Sequence, residues 1–368
     1  MRHISRRKFL YGSAALSIAS RSIFAAAQPF QGSALLLVGT QTAATSKGIY
    51  AYNFDPATGE LKQAGLAAET DNPTFMALAP KGDLLFVANE LDQYEGKPGG
   101  AVSSYSLDRG SAKLVKINEV ASLGGGTCHV AVDHTGRSVF AANYGGGSAT
   151  SFLVDPNGRL SAAVSFEQYT GHGPNPDRQQ APHAHRVTVS PDNRFLLVND
   201  LGLDEIHIYH LDAATATLTP NDPPAWKSAP GAGPRALKFH PNGHIAYCIT
   251  EMTSQVDVLR WNAKRGTLDS IQQLSLAPAN HPPITTGCDI VIDQAASFAY
   301  VADRFDDIID TYAISASDGK LTFVDRISSG GKVPRHLALD PTGRWLLVAN
   351  QTSDNIAVFA REPHSCKL

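Results

Sequence analysis

The chain has 368 residues, 43% of them hydrophobic and 18% charged, with 31 Gly, 22 Pro and a formal net charge of −3. No uninterrupted apolar run approaches the roughly 20 residues a spanning helix needs, which argues against an integral helical membrane protein. Four Cys among so many residues do not make a disulfide-stapled miniprotein.

The chain opens with Ser5-Arg6-Arg7-Lys8-Phe9-Leu10, a modestly apolar stretch from Leu10 to Ala19, and the small residues Ala25-Ala26-Ala27. Basic region, apolar region and A-x-A site in that order predict a cleaved twin-arginine leader over 1–27. Gly12, Ser13 and Ser17 dilute the apolar region, which favours the twin-arginine machinery over general secretion. A periplasmic mature chain of residues 28–368, folded as a single domain, is expected. The leader holds Arg2, Arg6, Arg7, Lys8 and Arg21 and no acid, so its removal takes the formal charge to −8. So acidic a chain is a poor candidate for nucleic acid. Cys128, Cys248, Cys288 and Cys366 lie far apart with no C-x-x-C spacing, so no metal knot or redox motif is indicated.

A repeat then runs through the mature chain. Pro73 to Gly82, Pro234 to Gly243 and Pro334 to Gly343 are each a short alternating run ending in a Pro-x-Gly turn, and each is followed by an apolar run. Weaker copies lie at Thr127 to Gly136, Ala184 to Asn193 and Gly287 to Ala296. Two strands joined by a tight turn read as a hairpin, and a third strand follows in each unit. Thr74, Cys128, His185, Arg235, Cys288 and Arg335 mark one register at intervals of 47 to 57 residues. A partial unit at the start brings the count to seven, and no stretch has convincing helical periodicity. Four short strands in 40–50 residues make a propeller blade. The prediction is an all-β, seven-bladed β-propeller of four-stranded antiparallel blades. The first unit lacks an opening strand and the last stops near Arg361, so strands from both termini are expected to close the ring.

The innermost strand of a blade runs along the central channel. Counting eight residues either side of the turn glycine pairs Thr74 with Glu90, Cys128 with Tyr144, His185 with Leu201, Arg235 with Glu251, Cys288 with Arg304 and Arg335 with Gln351, at one end of the channel. His185, Arg235, Glu251, Arg304 and Arg335 then converge from four blades, a set suited to an anionic substrate with an acid–base group. The plainer reading is that Glu251 only neutralises its arginine neighbours. His183 and His185 share one side of a strand, but no third metal ligand accompanies them, and no cofactor is called for. Asn143-Tyr144-Gly145-Gly146-Gly147-Ser148 reads as a bend rather than a phosphate cradle, because no helix follows it. The long loop from Gly171 to Pro182, with His172, Arg178 and Gln179, has the length of a functional or mobile loop.

Asn143 to Ser148, Arg178-Gln179 to Pro182-His183-Ala184-His185, Asp200-Leu201-Gly202-Leu203-Asp204, Gly233-Pro234-Arg235, Thr250-Glu251, Ala302-Asp303-Arg304 and Pro334-Arg335-His336 occur in the order found in the lactonase family of seven-bladed propellers, which the chain resembles. That family includes propeller-type 6-phosphogluconolactonases and a fungal carboxymuconate-lactonizing enzyme. The resemblance implies a channel histidine at His185 or His183, two arginines at Arg235 and Arg304, and a glutamate at Glu251. The expected activity is hydrolysis of a small anionic or sugar lactone, a carboxylic-ester hydrolase of carbohydrate metabolism. Export favours an unphosphorylated gluconolactone over a phosphorylated cytoplasmic one. In this reading Glu251 takes a proton from water, His185 protonates the leaving oxygen and Arg235 and Arg304 hold the oxyanion. Arg335, His183, Tyr144 and Gln351 bind substrate. Cyclisation of an unsaturated dicarboxylate to a lactone, and a non-catalytic binding propeller, are the alternatives.

Overall fold

In the computed structural model, residues 32–42, 45–276, 286–362 and 365–368 are described, and Gly32–Leu368 form one compact unit. The predicted leader lies outside the described residues. Turn chemistry cuts the chain into hairpins. Gly82, Gly136, Gly243 and Gly343 take φ between +69° and +75° at the turns, and Asn193 and Ala296 fill the same left-handed position in the weaker copies. Between turns, the β-branched and aromatic runs pair as antiparallel sheets, and no helix occurs among the described residues.

Seven such sheets follow one another, as the repeat count predicts. The five central blades have four strands each, as in Pro234–Phe239, Ile245–Thr250, Gln255–Asn262 and Thr267–Ser275. The first (Ala34–Val38, Gly48–Asp55, Glu60–Glu69) and the last (Pro334–Leu339, Trp345–Asn350, Asn355–Ala360) have three. Among the described residues no ladder joins the end blades, and side-chain contacts between the first and last carry the seam.

The apolar core lies in slabs between neighbouring blades. Ile245, Tyr247 and Ile249 of the fifth meet Ile290, Val301 and Tyr312 of the sixth, and comparable clusters join the first blade to the second and each later pair in turn. At the seam between the last blade and the first, Trp345 carries the contact. Its ring meets Phe54 edge-on at 6.5 Å, and its Nε1 donates to the Pro56 carbonyl at 2.9 Å. Gly59 has φ +78°, and a Cβ there would lie 2.6 Å from the indole, so only glycine admits the Trp345 ring. Arg344 also donates to Pro56 O, and Gln351 Nε2 donates to Gln41 Oε1 at 3.0 Å.

The register of the inner hairpins differs from the sequence expectation in one respect that shapes the site. Pro234 pairs with Thr250 and Ala236 with Ile249, which leaves Arg235 as an extra residue: a β-bulge. The same irregularity falls at Thr74, Cys128, His185 and Arg335, and between Gly287 and Ile290 in the sixth blade. The expected cross-strand pairs therefore do not form. Instead the N–H of each second-strand exit residue bonds the carbonyl two residues before the mark, as Glu251 N does to Gly233 O (2.8 Å) and Arg304 N to Thr286 O (3.1 Å).

Truncating the seam should weaken the whole ring. Trp345→Ala is expected to lower unfolding free energy by about 3 kcal/mol, read as a fall in the denaturant midpoint. An unchanged midpoint would show that the seam does not depend on the indole.

Candidate active site

Each bulge re-aims the mark residue, and the marks meet at one end of the channel. Glu251, 4% exposed, follows the second strand of the fifth blade. Its Oε2 takes Arg304 Nη2 at 2.7 Å and contacts Arg235 Nε at 2.9 Å, and its Oε1 takes Arg178 Nη2 at 2.6 Å. Burial opposes the charge of Glu251, but Arg304, Arg235 and Arg178 outweigh it and bring the carboxyl pKa to about 2. Arg235 also donates to the Cys288 carbonyl of the next blade, which locks its side chain across the blade interface.

Arg335 completes the group without a carboxylate. No hydrogen bond or ion pair reaches its guanidinium among the described residues, and burial together with Arg235 and Arg304 pushes its pKa down. Three of the four guanidiniums share Glu251, and Arg335 feels only the more distant Glu90 through space, so positive charge is in surplus and favours an anion or a developing oxyanion.

His185 lies in the same field. Burial, then Arg235, Arg335 and Arg304, hold its pKa well below the ordinary 6.5, so it is a neutral imidazole at pH 7. The Tyr144 ring packs edge-on against it at 5.5 Å and stacks on His183 at 4.5 Å, while Tyr144 Oη accepts from Arg178 Nη2 at 3.2 Å. His183 Nδ1 donates to the Tyr144 carbonyl at 2.9 Å. Of the two histidines the family resemblance allowed, His185 faces the arginines and His183 props Tyr144.

The structure thus gathers His185, Arg235, Glu251, Arg304 and Arg335 with Tyr144 and His183 beside them. It does not bring Gln351 to the group, because that side chain bonds Gln41 across the seam. A carboxylate held by three guanidiniums with a pKa near 2 is a poor proton acceptor, and a neutral imidazole is no proton donor until it has first taken one. These shifts fit Glu251 as a charge anchor and leave His185 as the candidate base.

Arg178 was not among the predicted site residues. It lies in the long loop outside the repeat, where register arithmetic gives no position. The loop is pinned by Gln179, fully buried, whose Nε2 donates to Leu201 O and to Asp204 Oδ1, both at 2.8 Å. Asp204 also accepts from Gly231 N and Gly233 N. One carboxylate so fixes the residue beside Arg178 and the residue two before Arg235. Asp200 does the same for His183, accepting its N–H at 2.8 Å. The glycine run proves to be packing: a Cβ on Gly146 would lie 2.7 Å from Gly125 N. Among the described residues no group of three or more metal-ligating side chains gathers.

Comparison with known proteins agrees with this architecture. Residues 35–368 match the family model described as lactonase, 7-bladed beta-propeller. The chain is 33% identical over 331 residues to 6-phosphogluconolactonase of Bacillus subtilis, spanning 90% of this chain and 92% of that one. It is 30% identical to 6-phosphogluconolactonase of Formosa agariphila, with 87% and 90% covered. Among solved structures, the periplasmic gluconolactonase of Pseudomonas aeruginosa superposes with a TM-score of 0.86 at 35% identity, with 91% of this chain and 93% of that one covered.

The depressed Glu251 pKa makes stability depend on acid. A carboxyl lowered from 4.5 to about 2 stabilises the fold fully above pH 4.5, and this contribution is lost as pH falls through 2. Thermal midpoints should drop between pH 5 and 2, with Glu251 accounting for about 3 kcal/mol. In Glu251→Gln the midpoint should already be low at pH 7 and its fall with acid shallower. An identical acid limb in the variant would show that the carboxylate is not held as described.

Proposed function

The chain belongs to the lactonase family of seven-bladed β-propellers, and on that footing we propose that it hydrolyses a sugar lactone at the arginine-lined end of the channel. The observation that carries the reading is the pairing of a guanidinium with no hydrogen bond or ion pair among the described residues, Arg335, with a neutral imidazole, His185, in one cluster. A scaffold needs neither, whereas ester hydrolysis needs both a cation for the oxyanion and a base for water.

In the proposed reaction the lactone carbonyl oxygen lies toward Arg335 and the exposed side of Arg178. His185 takes a proton from water as the water oxygen bonds the carbonyl carbon, and the carbonyl π pair moves to oxygen against the guanidiniums. As that pair returns, the ring C–O bond breaks and the ring oxygen takes the proton from His185. The product is the open-chain hydroxy acid, and the imidazole is neutral again. Glu251 holds Arg178, Arg235 and Arg304 at fixed separation, so little reorganisation is needed when charge develops. The names of the relatives describe opening of a lactone, which favours hydrolysis over the reverse cyclisation.

An unphosphorylated gluconolactone in the periplasm is the proposed substrate and compartment. The twin-arginine pattern Arg6-Arg7 and the likeness to a periplasmic gluconolactonase support it, and passage through the twin-arginine machinery is part of the proposal.

The test is hydrolysis of glucono-δ-lactone and 6-phosphogluconolactone by the purified protein, corrected for spontaneous opening. His185→Gln should lose about 10²–10⁴-fold in kcat with its melting temperature retained. In the unsubstituted protein kcat/KM should hold level down to pH 6.5 and fall only below it, as His185 protonates. Turnover no faster than the spontaneous reaction on both lactones would contradict the proposal.

A further inference from the structure

In five of the six bulged inner strands a second consecutive residue, one step beyond the mark, lines the channel; in the fifth blade that residue, Ala236, packs into the slab between blades. Phe75, His129, Arg186, Asp289 and His336 are these residues, and with Lys238 they line a cavity of about 490 Å³. None of His185, Arg235, Glu251, Arg304 and Arg335 lines it. Its size is that of a small-molecule site.

The charges in this cavity do not balance. Asp289, the single acid in its wall, is already engaged: Arg186 Nη1 lies 3.0 Å from Oδ1, His336 Nδ1 donates to Oδ2 at 2.8 Å, and Leu337 N donates at 3.1 Å. Lys238 has no hydrogen bond or ion pair among the described residues. Water reaches its ammonium, yet the enclosing protein and then Arg186 still disfavour the charge. His129 adds none, because burial and Arg186 keep it neutral. Leaving aside the imidazoles of His134 and His336, Arg186 and Lys238 against Asp289 leave one positive charge over.

Two polar atoms in the same wall, His129 Nε2 and Thr188 Oγ1, are buried without a hydrogen-bond partner, an arrangement native interiors rarely leave unfilled. His129 is 6% exposed and packs against Phe75 with centroids 3.9 Å apart and the rings tilted by 33°. The exposed lining is about half polar and half apolar, and in a cavity of this size an inorganic ion would leave most of the wall uncovered.

We propose that this cavity is a second ligand site, separate from the lactone site, which takes a small organic monocarboxylate bearing hydroxyl groups. Lys238 and the free N–H groups of Arg186 face the carboxylate, and the carbon skeleton lies along Phe75 and the apolar part of the wall. The surplus of one positive charge matches a monocarboxylate better than a phosphate dianion.

Calorimetric titration of sodium gluconate into the purified protein tests this directly, and it reports binding whether or not a lactone is turned over. Lys238→Gln and Lys238→Glu should each weaken one binding event at least tenfold, with melting temperatures within a few degrees of the parent. Arg335→Met should leave that event in place. Isotherms unchanged by both Lys238 substitutions would overturn the site. Equal displacement of gluconate by chloride or inorganic phosphate would overturn the carboxylate assignment, leaving only an unselective cationic channel.

Discussion

In six of the seven blades the first strand carries one residue more than the strand it pairs with, at the same place each time, while Ala34–Val38 of the first blade pairs regularly. A regular ladder would send alternate side chains into the slabs between blades and leave the channel a thin lining. In five of those six the bulge turns two neighbouring side chains toward the channel instead, at a cost of one lost pairing per blade. The arginine cluster and the cavity beyond it are successive layers of that one irregularity.

Within the upper layer, charge decides what each group can do. Three guanidiniums on one buried carboxylate would be costly if any were left without its partner, and the geometry satisfies Glu251 from both oxygens. Burial disfavours an imidazolium at His185, and the field that holds Glu251 ionised adds to this, because each added cation raises the cost of that charge. An acid that stays ionised and a base that stays neutral are thus consequences of one cluster. The carboxylates of Asp200 and Asp204 serve it at a distance: they accept the backbone N–H groups of His183 and Gly233 and the side-chain amide of Gln179, fixing the loops that carry His183, Arg178 and Arg235.

Much of this was legible in the sequence. The turns, three of them Pro-x-Gly, located the six marks and with the partial first unit gave the blade count, because a residue with positive φ, Gly in four and Asn193 or Ala296 in two, recurs wherever these hairpins reverse. The gathering of Arg235, Glu251, Arg304, Arg335 and His185 followed from that register. The bulge did not, since one residue of excess in one strand leaves hydrophobic alternation on both sides intact. Arg178 escaped because its loop lies outside the repeat and reaches Glu251 through Gln179 and Asp204, contacts with no sequence spacing to betray them. Gln351 was misplaced because the seam that captures it joins the two ends of the chain. Which of Glu251 and His185 can serve as the base depends on the number of guanidiniums within contact, a quantity only the folded chain defines.

The central claim is that burial, and then the surrounding arginines, hold His185 neutral. It is tested most directly by observing the ring nitrogens of His185 in the ¹⁵N-labelled protein, assigned with His185→Gln, from pH 8 to 5. The account predicts the chemical shifts of a neutral imidazole, one protonated and one bare nitrogen, persisting below pH 6.5. An imidazolium pattern already present at pH 7 would contradict it and return the base to another group.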